Sequence, residues 1–565
     1  MAKKINGKEY ETWSKEELIK EIIKIKSTTY GLVWHRDLPE EKIDILVNPD
    51  ARTPNEMFPN EMAGKPFPVL KEVKTKAVES DKSKLVNLLI EGDNYHSLAV
   101  LNFTHREAVD LIYIDPPYNT GNNDFIYNDK FVDKEDSFRH SKWLSFMEKR
   151  LKLAKNLLKS NGAIFISIDD NEQAPLRMLC DEIFGQDNFI ATIIWQKKYT
   201  QSNDAKYFSA THDFILCYAK NTTKDGFKIN LLQRTEDQTA RYSNPDNDPR
   251  GPWASQPIQV KTPSKSGLYE IITPAGGRFS PPKGRSWQFS KERYEEFVKN
   301  NRIWFGEAGQ NVPRIKKFLS EVKEGVIPKT IWLYNEVGSN DDGKRLLKEL
   351  IPEKSFDSPK PVSLLKHIMK LSSGKEATIL DFMAGSGTIA HAVLELNKED
   401  DGHRNFILCT NNENNICTEI CYPRVKKVIG GYKNQKGEKT EGLGGNLKYY
   451  KTDFVEAEPT DKNKRKLVKE SADMLCILEN AFELTQETPE FKIFKNTDKY
   501  VGVIFYEEAI DDYKKIIKKI DGHFNTYVFS MGDDPHTKKF VDMKGKVTLC
   551  AIPEVILKVY REIFK

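Results

Sequence analysis

Two rhythms of hydrophobic residues alternate along this chain and predict its elements. Unbroken apolar runs of strand length lie at residues 84–90 (KLVNLLI), 109–114 (VDLIYI) and 163–168 (AIFISI). Such runs suit strands buried on both faces, as in a parallel sheet covered by helices. Between the last two, Leu144, Met147, Leu151, Ala154 and Leu158 recur at spacings of three and four, one face of a helix. The spacing predicts a helix over 141–158, with Asn161-Gly162 as its stop. Strand, helix, strand is the unit of a parallel α/β sheet. The same alternation returns late in the chain. It predicts helices over 360–371, 386–396 and 418–429, with strands at 377–382 and 406–409.

Elsewhere the pattern fails, and the failures divide the chain. Residues 1–83 are charged and broken by prolines between Pro54 and Pro68, which predicts a helical arm and an irregular wrapping segment. Residues 84–189 and 351–455 read as two halves of one α/β domain. The stretch between them, 190–350, reads as an insert: eight of the 27 prolines fall between Asn244 and Pro282, a composition of loops and edge strands. Residues 456–565 read as a small closing α/β domain, with strands at 501–505, 526–530 and 547–552 and a last helix at 553–564. The charged DKNKRKLVKE at 461–470, near its start, reads as a linker or an exposed helix.

Composition sharpens this only in places. A chain of 565 residues with 39% hydrophobic content can hold several cores. No apolar run is long enough to span a membrane, and the N-terminus lacks the apolar segment of a secretory signal. Seven scattered cysteines read as free thiols of a cytoplasmic protein, and Cys417 and Cys421 lack the further ligands of a metal site. The net charge is only +4, but residues 189–350 hold 26 Lys and Arg against 18 Asp and Glu. They also hold five of the eight tryptophans: Trp195, Trp253, Trp287, Trp304 and Trp332. A basic, aromatic-rich segment suits nucleic acid; a solvated basic face over core tryptophans explains it equally well.

The chemistry concentrates at two strand ends. In LIYIDPPYNTG a buried strand runs into Asp115, Pro116, Pro117 and Tyr118. The prolines fix φ and keep their carbonyls as acceptors. An acid oxygen and a proline carbonyl form a rigid acceptor pair, and Tyr118 is a flat platform beside it. That combination suits a planar ring with an exocyclic amino group. Such a nitrogen is a poor nucleophile until acceptors on its hydrogens free its lone pair. It can then attack a methyl group held in line, by positioning and electrostatics alone. The second strand end is DFMAGSGT, where Asp381 and Phe382 lead into Gly385, Ser386 and Gly387. Glycines let a backbone turn tightly beside a cofactor. The GK[ST] of triphosphate sites is absent, and the dinucleotide GxGxxG is not matched. Glu413, 26 residues past Gly387, is placed to hold ribose hydroxyls or is simply a surface acid.

DPPY at 115–118 with FMAGSG at 382–387 resembles the amino-methylating DNA methyltransferases that use S-adenosylmethionine. Catalytic motif first, recognition segment next and cofactor motif last is the order of their beta class. The stretches NLLIEGDNYHSL, IYIDPPYNTGNNDFIYND, RHSKWLSFMEKRLKLAKNLL, IFISIDDNE and FDSPKPVSLL are similar to the modification (Mod) subunits of type III restriction–modification systems. The resemblance implies a Rossmann-like, circularly permuted methyltransferase fold with an inserted target-recognition domain at 190–350. It implies Asp93 near the cofactor's adenine and Lys360 and Pro361 at its methionine end. Asp169 and Asp170 read equally well as site residues or as a polar strand end. The implied reaction is adenine-N6 methylation of a base flipped out of duplex DNA, since the family's cytosine-N4 enzymes more often carry serine in place of Asp115. Cytosine-N4 methylation, RNA methylation, a non-catalytic binding subunit and a solitary regulatory methyltransferase are the alternatives. The implied partners are a second copy of the chain and a helicase–nuclease subunit; the closing unit, residues 462–565, is read either as the contact for such a partner, through a strand-rich sheet edge, or as a cap that only stabilises the core.

Overall fold

The structure is a computed structural model. It describes residues 14–19, 34, 66–80 and 84–563, apart from 123, 128–129, 204, 355, 435–436, 457–459, 497–498 and 533. Most of the expected N-terminal arm therefore lies outside the described residues. The chain divides into two compact units: Asn230–Pro328, and the remainder.

The larger unit is built on a ten-stranded sheet. In chain order its strands are β1 (Pro66–Glu72), β2 (Val86–Glu91), β3 (Val109–Ile114), β4 (Leu158–Ile168), β5 (Phe189–Gln196), β6 (His212–Ala219), β7 (Ile331–Trp332), β8 (Thr378–Asp381), β9 (Asn405–Thr410) and β10 (Asn446–Glu456). Their order across the sheet is β1-β10-β2-β9-β8-β3-β4-β6-β5-β7. The six from β10 to β4 are parallel. β1 and β6 pair antiparallel at the two sides of this block. The apolar runs form the parallel centre because only there are both faces covered. The helices α1 (Asn94–Thr104), α2 (Arg139–Leu157), α3 (Gln173–Phe184), α4 (Val362–Ser372), α5 (Thr388–Asp400) and α6 (Tyr422–Gly430) belong to the same unit. The connection β3–α2–β4 leaves to one side of the β3/β8 pair, and β8–α5–β9 leaves to the other. β3 and β8 therefore flank the point where strand order reverses, the place where open α/β sheets bind ligands at their carboxyl ends.

Several boundaries differ from the sequence reading. α2 passes straight into β4, because its cap Leu158 is already extended. Asn161-Gly162 lies inside β4 at a register irregularity, where a Cβ on Gly162 would sit 3.0 Å from the Val109 carbonyl. The glycine serves close strand approach, not helix termination. α5 starts at Thr388, since Gly387 is left-handed (φ 72) and keeps Ser386 in the turn. The third late helix starts early, as a π-helical turn over Ile416–Cys421 that feeds α6. β1 emerges from the expected irregular segment as an edge strand, a position that tolerates Pro66 and Pro68.

The insert is smaller than its composition suggested. β5, β6 and β7 all fall within 190–350 yet join the large sheet, because their apolar residues need its cover. Trp195 and Trp332 are buried there, and Trp253 and Trp287 are buried in the smaller unit. Four of the five tryptophans are thus core, and what survives of the nucleic-acid signal is charge. Asn230–Pro328 carries 16 Lys and Arg against 11 Asp and Glu. That unit has its own core of Ile258, Ile271, Trp287, Tyr294, Ile303 and Ile315. Its three-stranded antiparallel sheet pairs Arg314–Phe318 with Ile303–Trp304 and Trp253–Pro257. The buried Lys316 ammonium is held there by Asp246 and Asp248.

The closing segment is joined to the main core. After α7 (Asp461–Glu470, the stretch expected as a linker or a helix) and α8 (Ala472–Leu478) come β11 (Glu483–Glu487), β12 (Phe491–Lys495), β13 (Tyr500–Ile504), β14 (Phe524–Phe529) and β15 (Val547–Ile552), in that spatial order. Alternate residues of β13 face opposite ways. Val501 and Val503 share the main cluster with Leu98 and Ile90, and Ile504 packs with Ile510, Tyr513 and Phe540 on the other face. α8 and the last helix, α9 (Glu554–Ile563), pack on α1. Tyr560 donates its hydroxyl to the Pro68 carbonyl at 2.6 Å.

Candidate active site

β3 ends at Ile114, so Asp115 stands at the carboxyl edge of the sheet next to the end of β8. Its Oδ2 accepts a 2.5 Å hydrogen bond from Lys360 Nζ. Lys360 is buried, and its ammonium also lies 5.3 Å from the Tyr118 ring and 5.9 Å from the Trp195 ring. Asp115 Oδ1 is buried and accepts no hydrogen bond from the described residues. A buried carboxylate oxygen without a donor is costly, which marks it as an acceptor waiting for one. The Pro117 carbonyl is taken by the Trp143 indole N–H at 2.7 Å. Among the described residues no hydrogen bond to the Pro116 carbonyl is recorded, so the proline acceptor left beside Asp115 is that of Pro116.

Tyr118 is held at its far end. Its hydroxyl donates to Asp213 Oδ2 at 3.4 Å, and Asp213 Oδ1 accepts from Lys197 Nζ at 2.5 Å. Burial, and next the charge of Asp115, push the Tyr118 phenol well above its ordinary range. Burial also raises the Asp213 carboxyl, against the opposing Lys197 ammonium. The next residue, Asn119, is left-handed (φ 56) and fully buried. Its amide donates to Glu172 Oε1 at 2.5 Å, and His140 Nδ1 lies 2.6 Å from the same oxygen. Burial raises the Glu172 carboxyl, and the Asn119 hydrogen bond opposes it. The DPPYN turn is thus fixed from beneath by α2 and by the segment after β4.

Asp381 closes β8. Burial pushes its carboxyl up to about 8, against one hydrogen bond from the Met383 N–H at 3.0 Å. Asp115 adds to the rise and Lys360 opposes it, which places all three groups in one electrostatic neighbourhood. Phe382 is fully buried beneath the turn. Gly385 and Gly387 both have positive φ, 49° and 72°. A Cβ would sit 3.2 Å from the Phe356 ring at Gly385, a tight contact, and 2.9 Å from Cys421 Sγ at Gly387, a clash, so the turn favours glycine at both positions and the space demands it at Gly387. Arg424, fully buried on α6, holds the turn by donating to Ser386 Oγ at 3.1 Å and Thr388 Oγ1 at 2.7 Å.

The remaining candidates scatter around this centre. Asp93 caps α1, accepting from the Tyr95 N–H at 2.7 Å, with Arg150 Nη2 3.4 Å away. Glu413 is exposed just past the end of β9, beside the left-handed Asn414 and Asn415. Pro361 is the N-cap of α4, and Lys360 before it contacts Asp115. Asp169 is engaged by Asn171 within its own turn. Sequence reasoning missed Asp213, Lys197, Asn119, Glu172, Phe356 and Arg424. Asp213 left one signal, an acid opening an otherwise apolar strand.

A family profile described as DNA methylase (N6_N4_Mtase) matches residues 109–422. The chain is 37% identical over 369 residues to the type III restriction–modification enzyme StyLTI Mod subunit of Salmonella typhimurium, covering 60% of this chain and 55% of that protein. It is 32% identical over 401 residues to the EcoPI Mod subunit of Escherichia phage P1, covering 62% and 61%. It is 31% identical over 357 residues to the type II methyltransferase M.KpnI of Klebsiella pneumoniae, covering 59% and 82%. The chain thus spans little more than half the length of the Mod subunits it matches.

Proposed function

This chain belongs to the DNA methylase family, and on that premise we propose that it methylates the N6 amino nitrogen of an adenine flipped out of duplex DNA. The observation that carries the reading is the buried, donor-free Asp115 Oδ1 beside the Pro116 carbonyl and the Tyr118 ring. A target base stacked in a duplex cannot reach such a pocket, so it must leave the stack.

The methyl donor is S-adenosylmethionine, which supplies an electrophilic methyl group on a sulfonium sulfur. The residues suit it: a glycine turn that no Cβ could share, a high-pKa acid in Asp381 that a cationic donor would stabilise as carboxylate, and an exposed Glu413 one strand away for hydroxyl groups. Asp115 Oδ1 and the Pro116 carbonyl accept the two N–H bonds of the target amine and leave its lone pair free for the methyl carbon. Lys360 fixes Oδ2 and so the direction of Oδ1. Tyr118, anchored by Asp213, stacks on the base. The surplus proton on nitrogen leaves along its hydrogen bond to Asp115 Oδ1.

The basic unit Asn230–Pro328 reads the DNA sequence, by charge to the backbone and side chains to base edges. The identity to Mod subunits supports a modification subunit that pairs with a second copy and with a helicase–nuclease subunit. The 82% coverage of M.KpnI favours a second reading, a methyltransferase that works alone. No described helix is long and apolar enough to cross a membrane. The test is transfer of tritiated methyl from S-adenosylmethionine to unmodified plasmid DNA and to RNA, followed by nucleoside analysis. N6-methyladenine in DNA is expected. N4-methylcytosine, label in RNA alone, or no label would each overturn the reading.

A further inference from the structure

The hairpin joining β5 to β6 carries two highly exposed aromatic side chains, with only the Lys206 ammonium over the Tyr207 ring, at 5.3 Å, recorded against them among the described residues. Phe208 is 96% exposed and Tyr207 81%, the two most exposed large hydrophobics among the described residues. Single exposed apolar groups are common, but adjacent aromatics this open on a loop tip mark an interaction surface.

Topology puts this tip at the active site. Ile168, the last residue of β4, pairs with Phe214, and Gln196 pairs with His212. Residues 197–211 therefore leave the sheet from the edge that bears Asp115. The base of the loop is rigid. The N–H groups of Lys197 and Lys198 both donate to the Thr211 carbonyl, at 2.9 and 3.2 Å, and the Tyr199 ring lies 5.5 Å from that of Tyr334. The Lys197 ammonium binds Asp213, which in turn binds the Tyr118 hydroxyl. One short chain of contacts thus links the loop root to the base platform, while the Ser202 N–H donates to Ser209 Oγ at 2.8 Å across the loop and leaves Tyr207 and Phe208 exposed at its tip.

The geometry points to a stacking wedge. Phe208 and Tyr207 enter the gap that the target base leaves in the duplex, and Lys198 and Lys206 meet the flanking phosphates. The charge selects this occupant: besides Lys197, which is neutralised by Asp213, the loop carries Lys198 and Lys206 against one acid, Asp204, which suits a polyanion rather than an apolar protein face. Aromatic side chains stack on bases of any sequence, and apolar wedges between base steps are a general device for unstacking a duplex. The inference rests on the base-flipping methyltransferase reading and adds to it the element that holds the duplex open.

The test uses the full chain with Tyr207→Ala and Phe208→Ala combined. The probe is an oligonucleotide duplex bearing the site that the wild-type protein methylates in unmodified plasmid DNA. One version keeps the target base paired; the other places it opposite an abasic position, where it is unpaired and costs less to extrude. The variant's kcat/KM is expected to fall about 10-fold or more on the paired duplex, the scale of a lost base-stacking contact. It is expected to stay within about threefold of wild type on the abasic duplex, where no wedge is needed. No loss on the paired duplex, or an equal loss on both, overturns the wedge. A shift of oligomeric state in light scattering, with methylation of the paired duplex intact, assigns the tip to protein contact and also overturns it. A wild-type protein that methylates no site in the unmodified plasmid DNA refutes the methyltransferase reading, which is a different result.

Discussion

Asp381→Asn isolates the cost of keeping an acid at the donor side of the site. Burial lifts this carboxyl from 3.8 to about 8, so the folded protein holds its proton far more tightly than the unfolded chain. Below the unfolded value both states are protonated and folding is unaffected. Between 3.8 and about 8 the unfolded chain has lost the proton and the folded one keeps it, so stability falls as pH rises, by about 1.4 kcal/mol per unit. At pH 7 the penalty is about 4 kcal/mol, taken on the order of magnitude. Asparagine keeps an acceptor for the Met383 N–H and carries no charge, so the variant escapes the slope. Thermal unfolding of both proteins from pH 4 to pH 9 is the assay. The variant's advantage in Tm should grow with pH and level off near 8. Donor binding supplies a second readout. A cationic donor stabilises the carboxylate, so wild-type affinity should rise with pH up to about the same point and the variant's should not. A Tm difference independent of pH would refute the reasoning.

Gly387→Ala should lower Tm by forcing a left-handed backbone worth about 1–2 kcal/mol and a 2.9 Å approach to Cys421 Sγ. Adding Cys421→Ala should recover the contact part alone, and full recovery would show that φ is not strained. Tyr118→Ala should cut methyl transfer by the roughly 1–3 kcal/mol of a base-stacking contact. Tyr118→Phe, which loses only the 3.4 Å bond to Asp213, should cost less than about fivefold; similar losses in both would place the function in the hydroxyl. Exchanging 230–328 for the counterpart of a related enzyme should change the methylated sequence in plasmid DNA. An unchanged sequence would place recognition elsewhere in the chain.

The parts of the site that lie within one motif were legible. Asp115, Pro116, Pro117 and Tyr118 could be placed at a strand end because an apolar run stops there, and Gly385 and Gly387 because a turn must follow β8. The partners of those residues were not legible. Lys360 reaches Asp115 across 245 residues of sequence, and Asp213 reaches Tyr118 from a strand that proline content and charge had assigned to the insert. Such contacts depend on sheet order, which periodicity does not report. For the same reason β5, β6 and β7 were drawn on the wrong side of a boundary. The closing segment looked independent because its strands are contiguous in sequence. That one face of its sheet completes the main core depends on where α1, α8 and α9 lie in space.

Asp115→Ala tests the central claim most directly, with methyl transfer to duplex DNA and S-adenosylmethionine affinity measured on the same preparation. In the proposed mechanism Asp115 meets the target amine and not the methyl donor. Transfer should therefore vanish while donor affinity stays within about threefold, well under the tenfold that about 1.4 kcal/mol represents. Substantial turnover in the variant, or a collapse of donor binding that accounts for the lost activity, would contradict the account.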